Sequence, residues 1–215
     1  MNSTFTAPRV DASLDVDQVH VWRGDRHVLK GVSLTLRAGE LLHVWGANGT
    51  GKTTLLRVVC GLLRPEQGTV AWGGRPIGAQ RAEFQATLAY ASHEPALKSD
   101  LTALENLRFA VGLKRPAADA ELQACLDRTG VGRCADLPAR VLSAGQRRRV
   151  AMARVLGVKA PLWLLDEPFT NLDLAGTGLV SSLLHEHVSG GGLALVVAHQ
   201  DLDVGLAVRR MELDG

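Results

Sequence analysis

Disulfide chemistry, long apolar runs and a one-sided charge are all missing from this sequence of 215 residues. Its three cysteines, Cys60, Cys125 and Cys134, are odd in number and show no CxxC or other metal spacing. That excludes a disulfide framework, argues against thiolate metal sites and favours a reducing compartment such as the cytoplasm. The longest apolar runs, such as Leu193 to Ala198, are about a third of the roughly 20 residues a spanning helix needs, so the chain is not expected to cross a membrane. Residues 1–14 are Ser/Thr-rich, lack the apolar stretch of a secretory signal and read as an exposed, flexible arm. Charge is balanced, with 24 Lys+Arg against 22 Asp+Glu, so no nucleic-acid partner is expected. Aromatics make up only 4%, too few for a series of base-stacking platforms.

What the chain does have is 46% hydrophobic residues and 23 glycines, enough for one domain with a sizeable core and several tight turns. Val16 to Val21 and Val32 to Leu36 alternate apolar and polar residues around the turn Arg23-Gly24-Asp25-Arg26, the pattern of an antiparallel pair. From Leu41 the order becomes strand (Leu41 to Trp45), glycine loop, then helix (Thr54 to Leu63). Strands are expected at Thr69 to Trp72 and Thr87 to Tyr90. Leu, Ala, Glu and Arg at helical spacing then form a helical insert over about residues 94–158, with one helix over Arg147 to Gly157. After Pro161 come a strand (Leu162 to Leu165), a helix (Leu174 to Val188), a strand (Leu193 to Ala198), a short helical segment and a terminal strand. The expected fold is α/β: one domain over residues 15–215, with a mostly parallel core sheet, an antiparallel β subdomain and an inserted helical subdomain.

Gly46-Ala47-Asn48-Gly49-Thr50-Gly51-Lys52-Thr53 satisfies GxxxxGK[ST] between an expected strand and an expected helix, which makes it a P-loop. Its glycines let successive backbone N–H groups turn toward phosphate oxygens, and the following helix adds its positive end. Lys52 would pair with the β- and γ-phosphates of ATP and Thr53 would ligate Mg²⁺; the nucleotide-contacting stretch runs from Gly46 to Thr54. Leu162 to Leu165 ends in Asp166 and Glu167, two carboxylates at the carboxyl end of a buried strand, where ligands of parallel sheets bind. Asp166 suits Mg²⁺ and Glu167 suits the general base toward water.

Leu142-Ser143-Ala144-Gly145-Gln146 opens a helix, and at this point the chain resembles the ATP-binding subunits of ABC transporters, whose LSGGQ signature reads LSAGQ here. The resemblance runs from Val16 to the C-terminus with the motifs in the family's order, and it strengthens the P-loop NTPase reading of the fold. It implies that Ser143, Gly145 and Gln146 act in trans on nucleotide held by a second copy in a head-to-tail dimer. It further implies that Asp173, in Asn171-Leu172-Asp173, belongs to a loop communicating between the two sites, and that His199 contacts the γ-phosphate and orients water and Glu167. Trp22 falls where the family stacks an aromatic on adenine; an edge tryptophan is an equal reading. Arg147, Arg148 and Arg149 read as a solvated helix face.

The family carries glutamine near Mg²⁺ and water where this chain has His93, whose imidazole can donate or accept one hydrogen bond there. His93, the stretch Leu101-Thr102-Ala103-Leu104-Glu105-Asn106-Leu107-Arg108-Phe109 and the segment Glu167-Pro168-Phe169-Thr170-Asn171 are similar to the cytochrome c biogenesis branch, the haem exporter ATP-binding subunits. That resemblance implies an ATPase bound to integral membrane subunits at the cytoplasmic face of the inner membrane, energising haem export or haem-chaperone release. An ATPase serving an ion, an amino acid or a lipid is the alternative, and a soluble ABC-type switch a more distant one. His185 and His187 lie two apart on a helix, hence on different faces, and no Cys-x-x-Cys-His occurs, so no direct haem contact is expected.

Overall fold

A computed structural model describes residues 12–214. The arm expected over residues 1–14 lies outside the described residues as far as residue 11. Its last two residues belong to the fold, because β1 (Ser13–Arg23) starts at Ser13 and buries Leu14 completely. β1 and β2 (Arg26–Arg37) form an antiparallel hairpin that turns at Gly24, where φ is +58°. With β4 (Gln67–Trp72) and β5 (Arg75–Pro76) they make a four-stranded antiparallel sheet in the order β2-β1-β4-β5.

The second sheet has the order β6-β7-β8-β3-β9, and every pairing in it is parallel. Its strands are β3 (Leu41–Trp45), β6 (Leu88–Ala91), β7 (Leu162–Asp166), β8 (Leu193–Val197) and β9 (Val208–Glu212). All five residues of β7 and of β8 are buried, as strands covered on both faces must be. Alternation sorts them into two cores. Leu162, Leu164, Leu193, Leu195 and Val197 pack with α1 (Lys52–Val59) and the inner face of the antiparallel sheet. Trp163, Leu165, Ala194 and Val196 pack instead with α5 (Ala144–Val158) and α6 (Leu174–Ser189).

Between these layers in sequence lie α2 (Arg81–Thr87), which periodicity did not predict, α3 (Ala103–Gly112) and α4 (Asp119–Arg128). The last two pack with α5 around Leu107, Val111, Leu122, Leu126 and Val150. α5 thus serves two cores at once. Gly157 lets it approach α3, since a Cβ there would meet Val111 Cγ2 at 2.8 Å.

Three expectations need correction. The first helix spans Lys52–Val59 rather than Thr54 to Leu63, because Gly61 turns the chain at φ +73° and leaves Leu62 exposed. No helix forms between β8 and β9: Asp203 accepts from the Gly205 amide at 3.4 Å, a turn contact that competes with helical pairing. The three arginines are not a solvated face. Arg147 donates to the Leu142 carbonyl at 2.6 Å, Arg149 pairs with Asp173 at 2.6 Å, and Arg148 is buried. Arginine stems are apolar enough to line a packed face.

Both histidines of α6 are used structurally. His185 Nδ1 lies 3.0 Å from the Val204 carbonyl, and buried His187 stacks on Trp163 with ring centroids 3.9 Å apart. Burial pushes the His187 pKa down to about 4. The unfolded chain therefore binds a proton that the native state refuses between the ordinary histidine value and that depressed one, and stability falls as pH drops through the window. Integrated to pH 5 the loss is about 2 kcal/mol, or roughly 4–8 °C in Tm. His187→Phe should retain the ring stack and remove that part of the Tm difference between pH 8 and pH 5 in thermal melts.

Candidate active site

The P-loop leaves β3 with Gly46 at φ +146°, and a Cβ there would strike the Leu213 carbonyl at 2.6 Å, so only glycine fits. Gly49 and Gly51 also hold positive φ, at +82° and +105°, and Gly51 opens α1 directly. Thr50 closes the loop on itself, its hydroxyl donating to the Ala47 carbonyl at 3.0 Å. Buried Lys52 turns its ammonium back across the loop, with Nζ 2.7 Å from the Gly46 carbonyl and 2.8 Å from that of Ala47.

Across the sheet, Thr53 Oγ1 donates to Asp166 Oδ2 at 3.0 Å. Asp166 is 1% exposed at the end of β7, and Glu167 follows it in a left-handed conformation, φ +52°. Its amide donates to the Val197 carbonyl at 2.8 Å. That conformation is costly for a non-glycine residue and persists where the surroundings fix it. His199 Nε2 approaches Glu167 Oε1 at 3.3 Å without forming a hydrogen bond, and Oε1 is buried with no hydrogen-bond donor.

These groups converge on a cleft of about 400 Å³ lined by Asn48, Gly49, Gly51, Lys52, Thr53, Thr54, His93, Asp166, Glu167 and His199. Motifs spread over most of the chain thus meet at one place. Gly46, Ala47 and Thr50 shape the loop without lining the cleft. Trp22 does not line it either; it stacks on His27 with centroids 4.0 Å apart and planes 5° from parallel, and His20 Nδ1 lies 3.0 Å from His27 Nε2.

The signature residues also lie off their own chain's cleft. Ser143 caps α5: its Oγ accepts from the Gln146 amide at 3.2 Å while Gln146 Oε1 accepts from the Ser143 amide at 2.8 Å, a capping box. Gly145 backs onto the Asn171 carbonyl, which a Cβ would meet at 2.7 Å. Asp173 caps α6 by accepting from the Gly176 amide at 2.8 Å, and Arg149 beside it helps hold its carboxyl below the usual range.

Four residues of the cleft escaped sequence reasoning, Val197 at the end of β8 and three from elsewhere. Arg23, Arg26 and Val28 come from the β1–β2 hairpin, and Arg26 Nη2 donates to the Gly49 carbonyl at 2.7 Å. The paired arginines of the turn were the available signal, but nothing local says that the hairpin folds against the P-loop. Buried His43 supports the site from below, its Nε2 2.9 Å from the carbonyl of Ala198, the residue before His199.

The ABC transporter family matches residues 29–170. The cytochrome c biogenesis ATP-binding export protein CcmA of Methylococcus capsulatus is 47% identical over 204 residues, covering 94% of this chain and 99% of that protein. Its namesake from Escherichia coli O157:H7 is 40% identical, covering 93% of this chain and 96% of that protein. Among solved structures, the dimer of a bacterial ABC transporter cassette aligns with TM-score 0.82 at 25% identity, over 93% of this chain and 94% of that one. The post-hydrolysis dimer of that cassette, bound to ADP and Pi, aligns with TM-score 0.82 at 26% identity, over 94% of each chain. The chain belongs to the ABC transporter family of ATPases, within the branch of the cytochrome c biogenesis ATP-binding export proteins.

Proposed function

We propose that this chain is the ATP-hydrolysing subunit of an export complex for c-type cytochrome biogenesis, energising haem export or the release of a haem-loaded chaperone. The observation that carries the ATPase site is the 3.0 Å contact between Thr53 and Asp166, which joins the P-loop to the acid-bearing strand. The cytochrome c assignment is supported by the names of relatives similar over nearly their whole length.

Each residue then has a task. Backbone N–H groups of residues 46–54 and the Lys52 ammonium bind the phosphates of ATP, aided by the positive end of α1. Thr53 and Asp166 offer hydroxyl and carboxylate oxygens, a donor pair that suits Mg²⁺, and exposed His93 reaches the same cleft. Among the described residues no cluster of three or more His, Cys, Asp or Glu side chains gathers, so phosphate and water oxygens would complete the coordination. When bound there, Mg²⁺ would neutralise negative charge on the phosphates of ATP. Glu167 Oε1, buried and without a hydrogen-bond donor, takes the proton of the attacking water. His199, with Nε2 3.3 Å from Glu167 Oε1, is placed to orient that carboxylate and would contact the γ-phosphate of bound ATP.

Ser143, Gly145, Gln146 and Asp173 stand away from the cleft of their own chain, which supports action in trans through a head-to-tail dimer of two copies. No helix among the described residues is long and apolar enough to cross a membrane. The export named for its relatives supports a pathway supplied by integral membrane subunits, with this chain docked peripherally on the cytoplasmic face.

Glu167→Gln should keep ATP binding, accumulate a nucleotide-bound dimer and lower turnover by roughly 10²- to 10⁴-fold. Normal hydrolysis by that variant would remove Glu167 from the mechanism. Pull-down from membranes with the same variant and ATP should bring down integral membrane subunits required for c-type cytochrome assembly. Recovery with a transporter for an ion, an amino acid or a lipid would overturn the haem assignment and leave the ATPase in place.

A further inference from the structure

Arg148, on the helix that opens with the signature, is a buried cation to which the proposed mechanism gives no task. Among the described residues it is the largest wholly buried side chain, 2% exposed, and makes no ion pair. Its Nη1 donates to the Ser92 carbonyl at 2.9 Å and its Nη2 to the carbonyl of His93, while Nε is buried without a partner. Desolvation pushes its pKa down, and the charges of Asp166 and Glu167 pull it back up, so the guanidinium lies within electrostatic reach of both carboxylates.

The same helix holds the segment a second time. Arg154 Nη1 donates to the Pro95 carbonyl at 2.9 Å and to that of Ala96 at 3.1 Å. α3 holds its far end, where Asn106 accepts from the Lys98 amide at 2.8 Å and donates to the Lys98 carbonyl at 3.1 Å. The backbone of residues 92–98 is thereby tied to the helices, although the segment leaves directly from β6 of the sheet. The His93 side chain stays exposed and reaches the cleft.

Building on the reading of Glu167 and His93 above, we propose that Arg148 is a positioning residue for ATP hydrolysis: its guanidinium fork, gripping the Ser92 and His93 carbonyls, sets where His93 stands beside Asp166 and Glu167. Because Arg148 sits on α5, that placement follows the helix whose first turn carries Ser143 and Gly145. Stability alone does not account for the residue. Replacing a buried charge by an apolar side chain of similar size is often neutral or stabilising, and the freed carbonyls belong to half-buried Ser92 and exposed His93.

The test measures ATP turnover, ATP affinity and Tm of the full chain in the assembled transporter for Arg148→Met, Arg148→Lys, His93→Ala and the double variant Arg148→Met/His93→Ala, beside Glu167→Gln. Arg148→Met should lower kcat roughly 10- to 100-fold, leave ATP affinity within about threefold and leave Tm at or above that of the parent. A lysine in its place restores the charge but not the two-pronged grip, so Arg148→Lys should recover kcat only in part. The double variant should lose no more than His93→Ala alone, because the two changes remove one arrangement. The inference is overturned by a parental kcat in Arg148→Met, by losses that multiply in the double variant, or by a kcat loss that merely tracks lost affinity or lost Tm. Should Arg148→Met not fold, full kcat in Arg148→Lys overturns it equally. Glu167→Gln separates the two levels: normal turnover in that variant defeats the catalytic reading itself, whereas an inactive Glu167→Gln beside a fully active Arg148→Met defeats only the role of Arg148.

Discussion

The hydrogen bond from Thr53 to Asp166 joins the carboxyl ends of two strands that are not neighbours. β8 lies between them, and the parallel register places Val44 of β3 and Asp166 of β7 opposite the same residue, Val197. Only when all three strands run the same way do the P-loop, the two acids and His199 emerge from one edge of the sheet. Parallel pairing in turn demands cover on both faces, which α1 and the antiparallel sheet supply on one side and α5 and α6 on the other. The chemistry of the cleft is therefore downstream of a packing requirement.

That requirement also explains how the site tolerates groups that are costly elsewhere. Lys52, Asp166 and Arg148 are all buried, and Glu167 holds a left-handed backbone beside them. Each is surrounded by fixed partners rather than water: carbonyls for Lys52, the Thr53 hydroxyl for Asp166, loop carbonyls for Arg148, the Val197 carbonyl for the Glu167 amide. Dipoles already oriented in the folded state need no rearrangement when charge shifts during phosphoryl transfer. The rigid β7–β8 pair provides that orientation, while His93 takes its position from the helices. The cleft thus combines groups fixed to the sheet with one group attached to the α5 layer.

The sequence made a large part of this legible, and the reason is locality. A P-loop is eight consecutive residues whose glycines must adopt particular backbone angles, and Gly46, Gly49 and Gly51 adopt positive φ as the motif requires. The strands β3, β7 and β8 announced themselves as short apolar runs, and the acids declared themselves by standing at a strand end. The misreadings also have a physical cause. α2 is seven residues long and buries only Phe84, too little apolar surface for a period to show. The three arginines were misread because a guanidinium on an apolar stem can end in water, on a carboxylate or on buried carbonyls, and neighbouring residues do not say which.

What the amino-acid sequence determined by itself was the chemistry on offer: a phosphate-binding turn, a carboxylate pair, a histidine after a buried strand, and the family to which that order of motifs points. What only the tertiary structure decided was how these groups stand to one another: Thr53 on Asp166, Arg26 on the P-loop, Arg148 on the His93 loop, and Trp22 stacked on His27 instead of lining the cleft. The division follows from the forces involved. Backbone angles and apolar periodicity are set within a few residues, whereas a hydrogen bond between distant segments forms only after the sheet has brought both ends into reach.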